Sequence, residues 1–560
     1  MHFPGESGTI APAKMKSYQI KTFGCQMNYS DSERVSSVLD RCGLRKASAD
    51  ETPDLLIFNT CSVRQKSEDK AIGAMHEFRK KAPDSLIGVT GCMVRETGHK
   101  DISRDGLLQH DFVDFVFRIE DAARLPKILS QFSGLEFVLE EFENFFGTGE
   151  IENYFRIAPQ VSSQTQVFVP IMQGCDKFCT YCIVPYTRGR EVSRPMTEIL
   201  DECEHHAKNG AKEITLLGQN VNSYTSEGEK SFPDLLRGVD RLHSLGLSRV
   251  RFTSPHPQDF TEEVIDVLAH MKTACPYVHL PAQHGSDRML RAMNRNYTVA
   301  EYEEIVDSLR KRIPGVSIAT DIIVGFPGET EEDFWQLSEF ARRMKFDFSY
   351  TAIFSPRKNT PAARMKKEFV PPAEQKERFH AFDNIIKSTA FVRRQECVGK
   401  MVEVLVESSE PQLGGTFLNG GRSREFFETY FLSDQPLLGQ EISVQITERK
   451  GYVLHGDFLE TKKKKTPSLR VVSAGVSFFM PENKEKPLSF LGNLATMSRF
   501  LQKKSGNCSV PAPVCLRTQN IFLLLRSLAM KGGMPKWMHL PSGPKKGKMP
   551  RSGVVRLRMI

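Results

Sequence analysis

The segment IMQGCDKFCTYCIVPYTRGREVSRP (171–195) places Cys175, Cys179 and Cys182 within eight positions. The apolar run VFVPIM (167–172) before it reads as a strand, so the cysteines lie on the loop that leaves it. Three thiolates at CxxxCxxC spacing can hold three irons of a four-iron, four-sulfur cubane. The fourth iron then has no protein ligand, and an open metal position is where a small molecule binds and is activated. The competing readings are buried apolar cysteines or a zinc site. Both are weakened because no fourth Cys or His at zinc-finger spacing closes the set.

The loop resembles that of radical S-adenosylmethionine (SAM) enzymes, and most of all that of the methylthiotransferases, down to the CIVPYTRGREVSRP after the last cysteine. The resemblance implies that the open iron takes the amino and carboxylate groups of SAM. Reduction then breaks the sulfonium bond to give a 5'-deoxyadenosyl radical. Tyr181 matches an aromatic that such loops carry near the adenine.

Alternation of apolar runs with amphipathic stretches predicts an α/β chain with parallel sheets. In the first such region, 17–131, strands are predicted at 18–23, 54–60, 85–91 and 112–117, with helices near 31–41, 62–81 and 119–131. Cys25, Cys61 and Cys92 each follow one of the first three strands, in TFGCQMNYSDSE, FNTCSVR and VTGCMVRE. Parallel strands share a C-terminal edge, where ligand sites collect, so three separated cysteines can converge there. These motifs resemble the N-terminal methylthiotransferase domain, which implies a second, auxiliary four-iron, four-sulfur cluster. Cys42, Cys203, Cys275 and Cys397 fit no such pattern and read as packing residues.

Residues 132–165 read as a partly packed linker. A second alternating region, 166–392, offers strands at 167–172, 213–218, 249–254, 277–280, 316–325 and 348–354. Helices are predicted near 196–208, 232–245, 260–271, 299–312 and 329–344. Six βα units make a partial (β/α)6 barrel whose mouth, at the C-terminal strand ends, presents the chemistry. GQN (218–220), SPHP (254–257), PAQHGSD (281–287) and GFPGET (325–330) all follow strands. Gly325 and Gly328 could serve only turns, and His256, His279 and His284 each read more readily as satisfied polar residues than as bases. The resemblance implies that Gln219, Asn220, Gln283 and Asp321 contact SAM. One departure is His284, where comparable family members usually have serine.

Residues 395–458 alternate with period two, as in a small antiparallel barrel. They resemble the TRAM domain, an RNA-binding module. With five basic against ten acidic side chains, such a module needs a local basic face, and Arg422 and Arg424 are its candidates. The tail from 461 to 560 carries 20 Lys+Arg against two acids, whereas the first 460 residues carry 56 against 66. The net charge of +8 therefore belongs to the tail, which reads as disordered and basic.

Hydrophobic content of 40% and charged content of 26% in 560 residues are ordinary for a soluble globular chain. No apolar run is long enough for a membrane span, and no signal or import segment precedes Met15. Twelve cysteines without a secretory signal point to a reducing compartment, hence the cytoplasm, and to metal rather than disulfides.

The flanks KTFGCQMNYSDSE and LLGQNVNSY are similar to those of the class acting on the isopentenylated adenosine beside the tRNA anticodon, the MiaB family. The resemblance runs from about 17 to 458. It implies a monomer that uses two clusters and two SAM, with tRNA as substrate, an external electron donor, and a sulfur or iron–sulfur donor. The alternatives are a methylthiotransferase for another tRNA adenosine modification or a ribosomal protein, and an iron–sulfur RNA-binding regulator.

Overall fold

The strand LLIFNT (55–60) is buried along its whole length and forms the middle of a five-stranded parallel sheet. The computed structural model describes residues 15–62, 65–94, 105–133, 151–226, 228 and 230–458. The proposed tail and part of the proposed linker lie outside these residues. The sheet order is β2-β1-β3-β4-β5, with β1 Ser17–Thr22, β2 Arg45–Lys46, β3 Leu55–Thr60, β4 Leu86–Gly91 and β5 Phe115–Val116. Helices α1 (Gln26–Arg41) and α2 (Gln65–Lys81) follow β1 and β3. Alternation along β3 feeds two cores: Leu55 and Ile57 pack with Val35 and Leu39 of α1, while Leu56 and Phe58 pack with Ala71 and Met75 of α2. The strand predicted at 112–117 shrinks to Phe115–Val116, because the Ile87 N–H donates to the Asp114 carboxylate (2.6 Å) rather than to a backbone carbonyl.

The second region is an open (β/α)6 barrel. Strands β6 (Gln166–Pro170), β7 (Glu213–Leu217) and β8 (Arg249–Phe252) form one parallel sheet. Strands β9 (Tyr277–His279), β10 (Ser317–Val324) and β11 (Phe348–Ile353) form another. A parallel bridge from Val250 to Ala274 joins the two. Helices α3 (Met196–Lys208), α4 (Phe232–Asp240), α5 (Glu262–His270), α6 (Val299–Arg312) and α7 (Glu331–Met344) fall where the periodicity puts them, within a few residues. The sixth helix, α8 (Pro372–Gln395), has no counterpart in the sequence reading. Its buried stripe is Arg378, Phe382, Ile386, Ala390 and Arg394, and the arginines at both ends hide the apolar period.

The last region is a closed five-stranded barrel in the order β12-β13-β14-β16-β15. Its strands are β12 (Met401–Pro411), β13 (Phe417–Ser423), β14 (Glu428–Ser433), β15 (Glu441–Lys450) and β16 (Val453–Phe458). It sits against the N-terminal ends of the (β/α)6 strands. Arg249, the first residue of β8, is wholly buried there; its Nε donates to Glu441 Oε1 (2.7 Å) and its Nη1 to the Arg422 carbonyl (2.9 Å). Arg251 donates to the carbonyls of Arg424 and Ser423, and Tyr277 stacks on Phe426 at 4.5 Å. Among the described residues no helix is long and apolar enough to cross a membrane.

Arg249→Met leaves Glu441 and two carbonyls without their donor. Because Glu441 keeps some contact with water, the expected cost is at the low end for a buried pair, about 3 kcal/mol. Denaturant unfolding measures it, and limited proteolysis should release the C-terminal barrel first.

Candidate metal centre

Cys25, Cys61 and Cys92 stand just past the C-terminal ends of β1, β3 and β4, three adjacent strands of one sheet. The register pairs Thr60 with Gly91, and the Cys92 N–H donates to the Thr60 carbonyl (2.8 Å), so Cys61 and Cys92 leave the sheet side by side. Cys25 is the N-cap of α1, which is why this helix starts at Gln26 rather than near 31 as predicted. Asn28 fixes the turn: its Oδ1 accepts from the Cys25 backbone N–H (3.3 Å), while its Nδ2 donates to Asn59 Oδ1 (2.8 Å) and the Thr60 carbonyl (3.1 Å). Asn59 answers with a bond from Nδ2 to the Asn28 carbonyl (2.7 Å). Both asparagines are fully buried. Sequence reasoning passed over them, although each lies within three residues of a singled-out cysteine.

The loop of Cys175, Cys179 and Cys182 is pinched at its base by a two-residue antiparallel ribbon, Met172–Gln173 with Val192–Ser193. Gly174 has φ +81°, and a Cβ there would lie 2.0 Å from the Arg190 carbonyl oxygen, so only glycine closes the loop. Burial pushes the Cys175 thiol up to about 11 and the Cys182 thiol up to about 12, each also feeling Cys179. Both thiols are neutral near pH 7 until metal displaces their protons. Arg295, missed in the sequence reading, donates from Nη1 to Cys179 Sγ (3.5 Å) and from Nη2 to the Pro281 carbonyl (2.9 Å). It is 6% exposed and, among the described residues, has no carboxylate within ion-pair distance. A buried cation without an acid partner suits a site that carries negative charge when loaded.

The residues implied as SAM contacts fall into two groups. Gln219 braces the loop, its Oε1 accepting from the Gly174 N–H (2.6 Å). Asn220 Nδ2 donates to Asp259 (2.9 Å), which also pairs with Lys177 on the loop (2.8 Å). Across the barrel, Gln283 is left-handed (φ +68°) and its backbone N–H donates to the Asp321 carbonyl (2.8 Å). The Asp321 side chain pairs with His279 (3.2 Å). Tyr181 packs on Met289, Met293, Phe326 and Phe354, and burial, with Cys179, raises its hydroxyl pKa.

Among the three histidines, His279 is thus satisfied. His284 is buried against Glu329 (3.3 Å), whose carboxylate also accepts from the Gly325 N–H (2.8 Å) and from Arg378 (2.7 Å). The serine-to-histidine departure therefore extends a buried network. Gly325 and Gly328, with φ +67° and +77°, make the turn that lets Glu329 fold back. His256 differs: burial, then Arg295 and Lys177, push its imidazole down to about 2, so it is neutral. Its Nδ1 accepts from the Gln258 N–H (3.2 Å), and its Nε2 is buried without a partner. Asn220 Oδ1 and Gln173 Oε1 are orphaned in the same way. Three buried polar atoms without partners, on segments following β6, β7 and β8, fit a small polar ligand at the barrel mouth.

Arg422 and Arg424 each make contacts within the protein. Arg424 donates to the carbonyls of Ser248 (3.0 Å) and Ala274 (2.9 Å), on the (β/α)6 barrel. Arg422 pairs with Glu407 (2.6 Å) and lies over Phe426. Arg424 thus helps to seat the small barrel, while the Arg422 side chain stays 42% exposed.

Among the described residues no group of three His, Cys, Asp or Glu is drawn in closely enough for a single ion. A cubane binds each thiolate at a different iron and needs no such convergence. In both loops the donor set is three free thiols, as a cubane with one open corner requires.

Arg188, six residues after Cys182, joins that segment to α1, which Cys25 caps. Its Nη2 donates to Asp31 on α1 (2.6 Å), and both side chains are buried. Burial opposes the charge on Arg188, but Asp31, Cys92 and Cys25 together hold its pKa well above the ordinary value. Next to it, Arg34 of α1 donates to Glu202 of α3 (3.0 Å), which Arg194 also holds (2.7 Å).

Comparison with known proteins finds the radical SAM superfamily over residues 169–341 and the uncharacterized protein family UPF0004 over residues 17–114. A tRNA-2-methylthio-N(6)-dimethylallyladenosine synthase from Alkaliphilus oremlandii is 40% identical over 453 residues, covering 80% of this chain and 93% of its own. The protein of that name from Carboxydothermus hydrogenoformans is 39% identical over 447 residues, covering 79% and 99%. Among solved structures, a radical S-adenosylmethionine methyltransferase from Kitasatospora setae matches with a TM-score of 0.45 at 15% identity, over 62% of this chain and 75% of that one. The identity and coverage of the two synthases decide the matter: this chain belongs to the tRNA-2-methylthio-N(6)-dimethylallyladenosine synthase family of radical SAM transferases.

Proposed function

We propose that this chain adds a methylthio group to the isopentenylated adenosine beside the anticodon of tRNA. In this reading it uses two four-iron, four-sulfur clusters and two molecules of SAM. Cys175, Cys179 and Cys182 hold one cluster, and Cys25, Cys61 and Cys92 hold the other. The observation that carries the reading is the two sets of three thiols at C-terminal ends of parallel strands, with the Arg188–Asp31 ion pair joining the elements that carry them. When bound, the clusters and SAM supply the one-electron and sulfur chemistry.

The chain's own residues hold and shape the site. Arg295 places a positive charge against Cys179, and neutral His256 with Asn220 and Gln173 leaves polar atoms free for the amino-acid end of SAM. Tyr181 and the methionines and phenylalanines behind it keep water from that wall. The C-terminal barrel acts as a TRAM-like module, with Arg422 and Arg424 as its candidate RNA contacts. An external reductant and a sulfur or iron–sulfur donor complete the cycle, and the chain works as a monomer in the cytoplasm.

Mass spectrometry of tRNA nucleosides from cells with and without the protein tests the substrate; no change in the methylthio nucleoside overturns it. Cys175→Ala is expected to abolish 5'-deoxyadenosine formation from SAM after anaerobic reduction. Cys61→Ala is expected to keep some cleavage but give no methylthio product, and product equal to the parent's would refute the second cluster.

Arg295→Met should shift the midpoint potential of the cluster in the 175–182 loop to more negative values, since a nearby cation favours the reduced, more negative state. A redox titration followed by electron paramagnetic resonance measures the shift.

A further inference from the structure

Arg188 has a nitrogen that nothing described in the protein uses. Its Nη2 is bound to Asp31 (2.6 Å), whose other oxygen accepts from the Tyr154 hydroxyl, whereas Nη1 is buried and has no hydrogen-bond partner. The side chain is 4% exposed, so water does not serve that nitrogen either. A buried N–H of a charged guanidinium left unmade is costly, and native structures keep such a group where a ligand completes it. The acidic groups near enough to feel the Arg188 charge are Asp31, Cys92, Cys25, Glu120 and Tyr154, whose hydroxyl is spent on Asp31. Asp31 is already satisfied, and Glu120 lies 3.9 Å from Arg118. That leaves the ground between Cys25 and Cys92.

We propose that Arg188 is a positioning residue for the auxiliary site, its Nη1 donating to an anionic sulfur there: the thiolate-type sulfur carried at the open corner, or a sulfur of the cluster itself. This rests on the two-cluster reading above and deepens it. The loop that carries Cys175, Cys179 and Cys182 thereby supplies the cation for the other site, and Asp31 orients it. Guanidinium suits the role because one nitrogen can hold Asp31 while another faces the sulfur, which a single ammonium cannot do at fixed geometry.

The test uses the full chain with Cys175→Ala, Cys179→Ala and Cys182→Ala, so that only the auxiliary site loads, and titrates it with 13C-labelled methanethiolate. Hyperfine coupling to the cluster reports the bound thiolate and gives its affinity, and a potentiometric titration gives the midpoint. Because removing Arg188 alone strands the buried Asp31 carboxylate, the variant is Arg188→Gln combined with Asp31→Asn, which deletes both charges. It is expected to bind methanethiolate about tenfold or more weakly, the worth of one charge-assisted hydrogen bond. Arg188→Lys, which keeps the charge and the bond to Asp31, should fall between.

If the midpoint moves to more negative values while the affinity holds, the sulfur that Arg188 meets is the cluster's own. If affinity and midpoint match the parent's in both variants, or in Arg188→Lys when the double variant does not fold, the proposal is overturned. Failure of the two-cluster reading looks different: the unsubstituted chain then carries about four irons instead of eight, and the triple-alanine chain none.

Discussion

A guanidinium and a carboxylate shut away from water, Arg188 and Asp31, tie the N-terminal sheet to the (β/α)6 barrel. Taking two charges out of water costs several kcal/mol for each, and only close, well-directed contact recovers it. The pair therefore tolerates little relative movement of α1, which Cys25 caps, and of the loop that holds Cys175, Cys179 and Cys182. Arg34, Glu202 and Arg194 repeat the arrangement beside it, and Glu33 accepts from Ser162 in the segment leading into β6. Polar α1 is buried because its charged face is an internal joint, which also explains why a helix with so many acids and hydroxyls lies against a core.

How much of this could be read from the chain depends on whether one residue or several carry the signal. Both cysteine sets were legible because thiols are scarce and each set lies at strand ends that period-two patterning already marks. The five helices α3 to α7 were legible because their buried positions are apolar. Helix α8 was not, since Arg378 and Arg394 occupy the buried stripe and satisfy themselves on Glu329 and on the Asp347 and Tyr452 carbonyls. Arg422 and Arg424 show the converse: a basic pair looks the same in sequence whether its acceptors are phosphates or, as for Arg424, the protein's own carbonyls. Asn28, Asn59, Arg188 and Arg295 were invisible as site residues because each has a partner between 31 and 157 positions away in the chain.

Two buried arginines lie by the two cysteine sets. Arg295 reaches Cys179 from the segment before α6, and Arg188, from the segment after Cys182, reaches Asp31 on the helix that Cys25 caps. Neither comes from the loop it serves. Each site therefore completes its electrostatics only when the surrounding elements have docked, so correct folding precedes competent chemistry.

The seating of the small five-stranded barrel has a further consequence. It rests on the starts of the parallel strands, where Arg249, Arg251, Tyr277 and Phe348 meet Glu441, the Ser423 carbonyl, Phe426 and Tyr452. The floor of the chamber is thereby stoppered. The strand ends opposite this seat, where Gln173, Asn220 and His256 lie, are left uncovered by the small barrel.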